Sequence, residues 1–175
     1  PRSRPTLVAH RTLLQPHPSE LTMNSDHAER RVLAGKIAGS TNLFDIRLTK
    51  SVSELHSIPT ADAKLDVDLK ISPSAQTSAT EDGARLLLVN ADFAVTINAA
   101  DSDAADDANP ALAAISCSLT AAFQNCLEDE PTQDELDAFA DTTGIFALYP
   151  YAREFFSDAT RRMGLPVLVL DLLRR

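Results

Sequence analysis

The residues best able to hold a metal or move a proton near neutral pH are the histidines, and the four here, His10, His17, His27 and His56, are too scattered to share an ion. Asp101, Asp103, Asp106 and Asp107 sketch a calcium loop. Asp106, however, stands where an EF-hand needs glycine, and Leu112 stands where it needs a bidentate glutamate, so a solvated hairpin tip is expected. Cys117 and Cys126 are nine apart and would point to opposite faces of one regular strand; they read as reduced packing residues rather than as a disulfide or a zinc site. Glu154 and Asp158 share a helix face at a spacing that could pair an acid with a base, yet Arg153, Arg161 and Arg162 lie around them and ordinary ion pairs account for the pattern. The five glycines form neither a phosphate-binding loop nor a dinucleotide fingerprint, and no G-x-S-x-G elbow presents a nucleophile. The chemical inventory therefore predicts no catalytic residue, no metal and no cofactor.

What the chain can do must then lie in its surfaces and in the elements that carry them. Its 175 residues make one domain with a small addition, at the 44% hydrophobic and 23% charged composition of ordinary globular proteins. No apolar run approaches the roughly 18 residues that span a bilayer. The net charge of −9 repels phosphate backbones and anionic lipid heads, which argues against nucleic acid and membrane insertion. Thr6-Leu7-Val8-Ala9 is interrupted at once by His10 and Arg11, so no leader peptide is legible and a cytoplasmic location is expected.

Residues 1–22 hold four of the ten prolines and three arginines against one glutamate, a composition that predicts an unstructured tail. Met23 follows and reads as the native start of a single domain over 23–175. Ala28, Val32, Leu33 and Ile37 recur at helical spacing and predict an amphipathic helix over 26–38. Period-two alternation then predicts four strands: Phe44, Ile46 and Leu48 face inward in the first; Leu65, Val67, Leu69 and Ile71 in the second; Leu87 to Ile97 in the third; Ile115 to Phe123 in the fourth. Residues 72–83 and 100–110 are polar loops, whereas the connection over 51–63 mixes Val52, Leu55 and Ile58 with a proline, and such apolar side chains need something to pack on. Thr132 to Glu135 spells a capping box opening a helix that Gly144 is expected to stop; a second helix runs over 146–163 with Pro150 in its first turn or at a kink. An apolar end, 165–173, needs burial. Helix, four strands, two helices is an α+β domain with an antiparallel sheet and helices packed on one face.

Tyr149-Pro150-Tyr151-Ala152-Arg153-Glu154, followed by Leu165-Pro166-Val167-Leu168, resembles the main-helix segment of the SecB chaperone family, with shorter echoes at Asp45 to Leu48 and Lys64 to Asp68. The likeness covers roughly residues 42–173. It implies a SecB-like fold, a homotetramer built as a dimer of dimers, and an ATP-independent holdase for unfolded or aggregation-prone clients, either preproteins or an antitoxin. A client groove is expected from Val52, Leu55, Ile58, Leu65, Val67, Leu168 and Leu170. Structural and interface roles fall to Tyr149, Pro150, Tyr151, Arg153, Glu154 and Phe155. Helix stripes with Phe146, Tyr149, Phe155 and Phe156 exceed what one face of a four-stranded sheet covers, which also points to assembly. Departures from the export type lie in the acidic face that docks the translocase motor: Asp45 is kept, but Thr49 and Ser116-Cys117-Ser118 stand where the resemblance implies carboxylates, so weak or no motor binding is expected. The extra N-terminal helix and the end at Leu173-Arg174-Arg175 resemble the branch associated with toxin-antitoxin systems. A scaffold that only self-assembles is the alternative, and it would expose no groove.

Overall fold

The computed structural model describes residues 6–9, 20–60, 63–81, 83–100, 111–125, 127 and 129–173, with side chains described from Ala28 onward. The hairpin-tip aspartates, Cys126, His10 and His17 lie outside these residues. In chain order the elements are β1 (Thr6–Ala9), α1 (Glu20–Ala38), β2 (Thr41–Leu55), β3 (Leu65–Ala79), β4 (Arg85–Ala99), β5 (Ala113–Asn125), α2 (Gln133–Phe139), a π-helical turn (Ala140–Gly144), α3 (Ile145–Arg162) and β6 (Val167–Leu170).

β2 to β5 form one antiparallel sheet in the order β2-β5-β4-β3. The central pair reads as its alternation predicts: Leu87, Val89, Ala91, Phe93, Val95 and Ile97 of β4 are buried against Ala113, Ile115, Cys117, Leu119, Ala121 and Phe123 of β5. The other face carries short polar ladders, such as the Thr120 hydroxyl donating to Asn90 at 2.6 Å, and meets solvent. Burial pushes the Cys117 thiol up to about 11, with Asp92 nearby adding to the shift, as suits a packing residue.

Several boundaries differ from expectation. β3 continues through Ala79 across the stretch read as a loop; Ser and Thr alternate there as readily as apolar residues, and Pro73 is tolerated because β3 is an edge strand. The true turn is confined to Thr80 to Ala84, closed by Thr80 N–H on the Ala84 carbonyl at 2.9 Å, with Gly83 at φ 82°. β2 likewise runs on to Leu55, so Val52 and Leu55 belong to a strand and not to the crossover.

The capping box at Thr132 and Glu135 is present. Gly144 does not end the helix. The chain passes through the π-turn directly into α3, and the extra residue per turn shifts the phase so that the stripe Leu136, Phe139, Ala140 continues as Ile145, Leu148, Tyr149, Ala152, Phe156 over the sheet. In α1, Ile37 is buried as expected, but Ala34 joins it while Val32 is 67% exposed, so the buried stripe is turned away from Val32 toward Ala34. Lys36 holds α1 to α2 through Glu135 at 2.8 Å, and Arg30 pairs with Asp141.

Within the segment expected to be an unstructured tail, Thr6–Ala9 forms β1, paired in parallel with β6, and Glu20 already opens α1. The pairing supplies backbone partners that composition alone does not reveal.

Candidate functional site

β2 carries five exposed large apolar side chains, Leu43, Phe44, Leu48, Val52 and Leu55. Cross-strand pairing puts Leu43, Ile46, Leu48, Ser51, Ser53 and Leu55 on the helix-covered side, opposite Phe123, Ala121, Leu119, Cys117, Ile115 and Ala113. Register shifts leave Phe44 and Thr49 as bulges. Phe44, expected to face inward with Ile46, is 74% exposed, because the bulge breaks the parity that linked them. The helices do not reach this edge: Leu43 and Leu48 remain half exposed, at 50% and 51%. Between β2, β5 and α3 lies an open depression of about 260 Å³ lined by Ile46, Leu48, Leu119, Tyr151, Glu154, Phe155 and Asp158. Asp158 pairs with Arg162 at 2.7 Å and Arg161 at 3.6 Å, the ordinary ion pairs of a helix end. Arg153 Nε is buried with no hydrogen-bond partner among the described residues. Tyr149 is core, its hydroxyl donating to the Asp171 carbonyl at 2.6 Å, and Pro150 is exposed within α3.

The seven residues expected to line one groove fall into two groups. Val52 (on the solvent face of β2), Leu55 and Ile58 lie at the β2 edge; Leu65 and Val67 lie on β3, three strand spacings of about 4.8 Å away. Leu168 and Leu170 are fully buried and Val67 nearly so, which makes them core in the free chain and corrects the picture of an open groove at these positions. Leu65 is half-buried beside them in the same apolar cluster. The motif-based reading missed Leu119 and Leu43, whose pairing partners alone reveal them, and Thr160, which is fully buried and accepts from the Leu168 N–H at 3.1 Å; a threonine on an apolar stripe was the available signal.

On the solvent face, Asp45 is bound by Arg47 at 2.5 Å, Thr49 donates to the Ser118 carbonyl at 3.1 Å, and the Ser118 hydroxyl donates to Asp92. No described helix is long and apolar enough to cross a membrane, and among the described residues no three His, Cys, Asp or Glu side chains converge as metal ligands would.

An edge-open antiparallel sheet in this order, backed by a long helix carrying the Tyr-Pro-Tyr-Ala-Arg-Glu segment, is the architecture of a SecB-type chaperone. Proteins from two strains of Mycobacterium tuberculosis, both named SecB-like chaperones, are 31% identical over 159 residues, spanning 87% of this chain and 88% of theirs. The chain belongs to the SecB-like chaperone family. A solved Mycobacterium tuberculosis SecB-like chaperone in complex with a ChAD peptide from the HigA1 antitoxin has the same fold, with a TM-score of 0.70 and 31% identity, covering 83% of this chain and 99% of that one. No protein-family model matches the chain.

Proposed function

We propose that this protein is an ATP-independent holdase whose client is an aggregation-prone antitoxin, and that it works in the cytoplasm as a single domain assembled into a dimer of dimers. The observation that carries the client class is the family member of the same fold solved with an antitoxin peptide. Charge suits this role: the chain exposes apolar side chains such as Leu48, Leu55, Ile58 and Tyr151, and its net negative charge keeps it dispersed while attracting basic clients.

The β2 edge and the depression over Leu48 and Phe155 are assigned to a second copy of the chain. The half-exposed Leu43, Leu48 and Tyr151 support this, since a second copy would take that apolar surface out of water. The client is assigned to the opposite edge, to the backbone of β6 and the half-buried Leu65 of β3, with Leu168, Leu170 and Val67 as the core that fixes these strands. Binding to the export motor is expected to be weak. Asp45 is already engaged by Arg47, and each exposed ion pair contributes at most about 1 kcal/mol, so one carboxylate does not hold a basic segment.

Dilution of a chemically unfolded protein into buffer with and without this chaperone, in the absence of nucleotide, tests the reading. Suppressed aggregation is expected, and unchanged light scattering refutes it. A client list from the native host dominated by exported precursors and the motor would overturn the antitoxin assignment.

A further inference from the structure

We infer that the free edge of β6 is a strand-acceptor site, held in the unliganded protein by the chain's own Thr6–Ala9 and taken by a client as an extended apolar segment with basic flanks. This rests on the chaperone reading above and says where and how the client enters.

β6 is fixed without help from β1. The Leu168 N–H donates to Thr160 Oγ1 at 3.1 Å, that hydroxyl donates to the Phe156 carbonyl at 2.9 Å, and the Tyr149 hydroxyl holds the Asp171 carbonyl just past the strand. Leu168 and Leu170 are sunk into the core beside α3. Backbone groups of successive strand residues point to opposite edges, so with the Leu168 N–H turned to α3, Val167 and Val169 offer their N–H and C=O groups on the other edge. That edge is where β1 pairs, in parallel, with Leu7 opposite Leu168 and Val8 opposite Val169. β1 also approaches β3, the strand carrying Leu65 and Val67, so it lies between the two elements to which the client was assigned.

The occupant is of the exchangeable kind. A two-stranded parallel pair of four residues is among the least stable sheets, and ten residues of chain separate β1 from α1. Its composition shows what the site accepts. Thr6-Leu7-Val8-Ala9 is flanked by Arg2, Arg4, His10 and Arg11, and residues 1–19 contain no carboxylate, in a chain of net charge −9. Asp171 follows β6 directly, and the net negative charge of the chain favours a basic segment. A client segment of the same type meets the same backbone edge and the same overall charge.

A cysteine pair, Val8→Cys with Val169→Cys, tests this in the full chain, because these residues are register partners and Val169 is part-exposed. The probe is a fluorescein-labelled peptide with the sequence of residues 3–12. The reduced double variant is expected to bind it; oxidation, with the 8–169 link verified by mass spectrometry, is expected to weaken binding at least tenfold, and reductant to restore it. Removal of residues 1–12 is expected to tighten binding, by about tenfold if the strand is docked nine-tenths of the time. Equal binding by oxidised and reduced forms, no tightening on removal, or cysteines that never cross-link each overturn the inference while leaving aggregation suppression, and with it the chaperone reading, intact. Loss of aggregation suppression by the unmodified protein would instead defeat both.

Discussion

Gly144 lacks a side chain because there is no room for one. A β-carbon there would stand 2.6 Å from Cγ1 of Val89, a stiff, fully buried side chain on β4. Gly144→Ala should gain helix propensity and still lose about 1–3 kcal/mol to overpacking, read as a lower urea midpoint with unchanged slope. Glu135 bears on pH. Its hydrogen bond from Lys36 comes first, then those at Thr132, and together they lower its pKa to about 2 from 4.5. A carboxylate held below its unfolded value stabilises the fold fully above about 4.5 and loses that contribution as pH falls toward about 2. The thermal midpoint should therefore drop more steeply across this window in the wild type than in Glu135→Gln; parallel curves would show that the α1–α2 link contributes nothing.

Strands β2 and β6 carry similar apolar residues and meet opposite fates. β2 is an edge whose bulges and outward Asp45, Arg47, Lys50 and Glu54 discourage indiscriminate pairing, while its inner face stays open. β6 is pinned under α3. An arginine should consequently be tolerated at one and not at the other. Leu55→Arg is expected to keep native circular dichroism, since Leu55 is 39% exposed, whereas Leu170→Arg, at 1%, should cost several kcal/mol and unfold the chain. If Leu170→Arg folds normally, β6 is not anchored as described.

For the molecule as a whole, the uncovered strip from Leu43 to Leu55 is the reason to expect assembly. Light scattering should give a tetramer at micromolar concentration, and Leu48→Asp should lower the mass without loss of secondary structure; a stable monomer of the unmodified chain would remove the basis for placing a second copy on β2.

Alternation alone specified the central strands, because Leu87 to Ile97 and Ile115 to Phe123 repeat without a break and every inward position is buried. The capping box and the Tyr-Pro-Tyr-Ala-Arg-Glu segment made the helix start and the family legible in the same way, being short-range patterns complete within a few residues. What depended on tertiary structure was everything that a distant partner decides. The bulge at Phe44 belongs to the pairing with β5, the lack of room at Gly144 is set by Val89 of β4, and Leu168 is held by Thr160 of α3. A one-residue slip in a strand reverses which side chains face the core and an added residue in a helix turn rotates them by about 100°, and no local composition records either, so the residues expected to line one groove are divided between two edges only by the folded sheet.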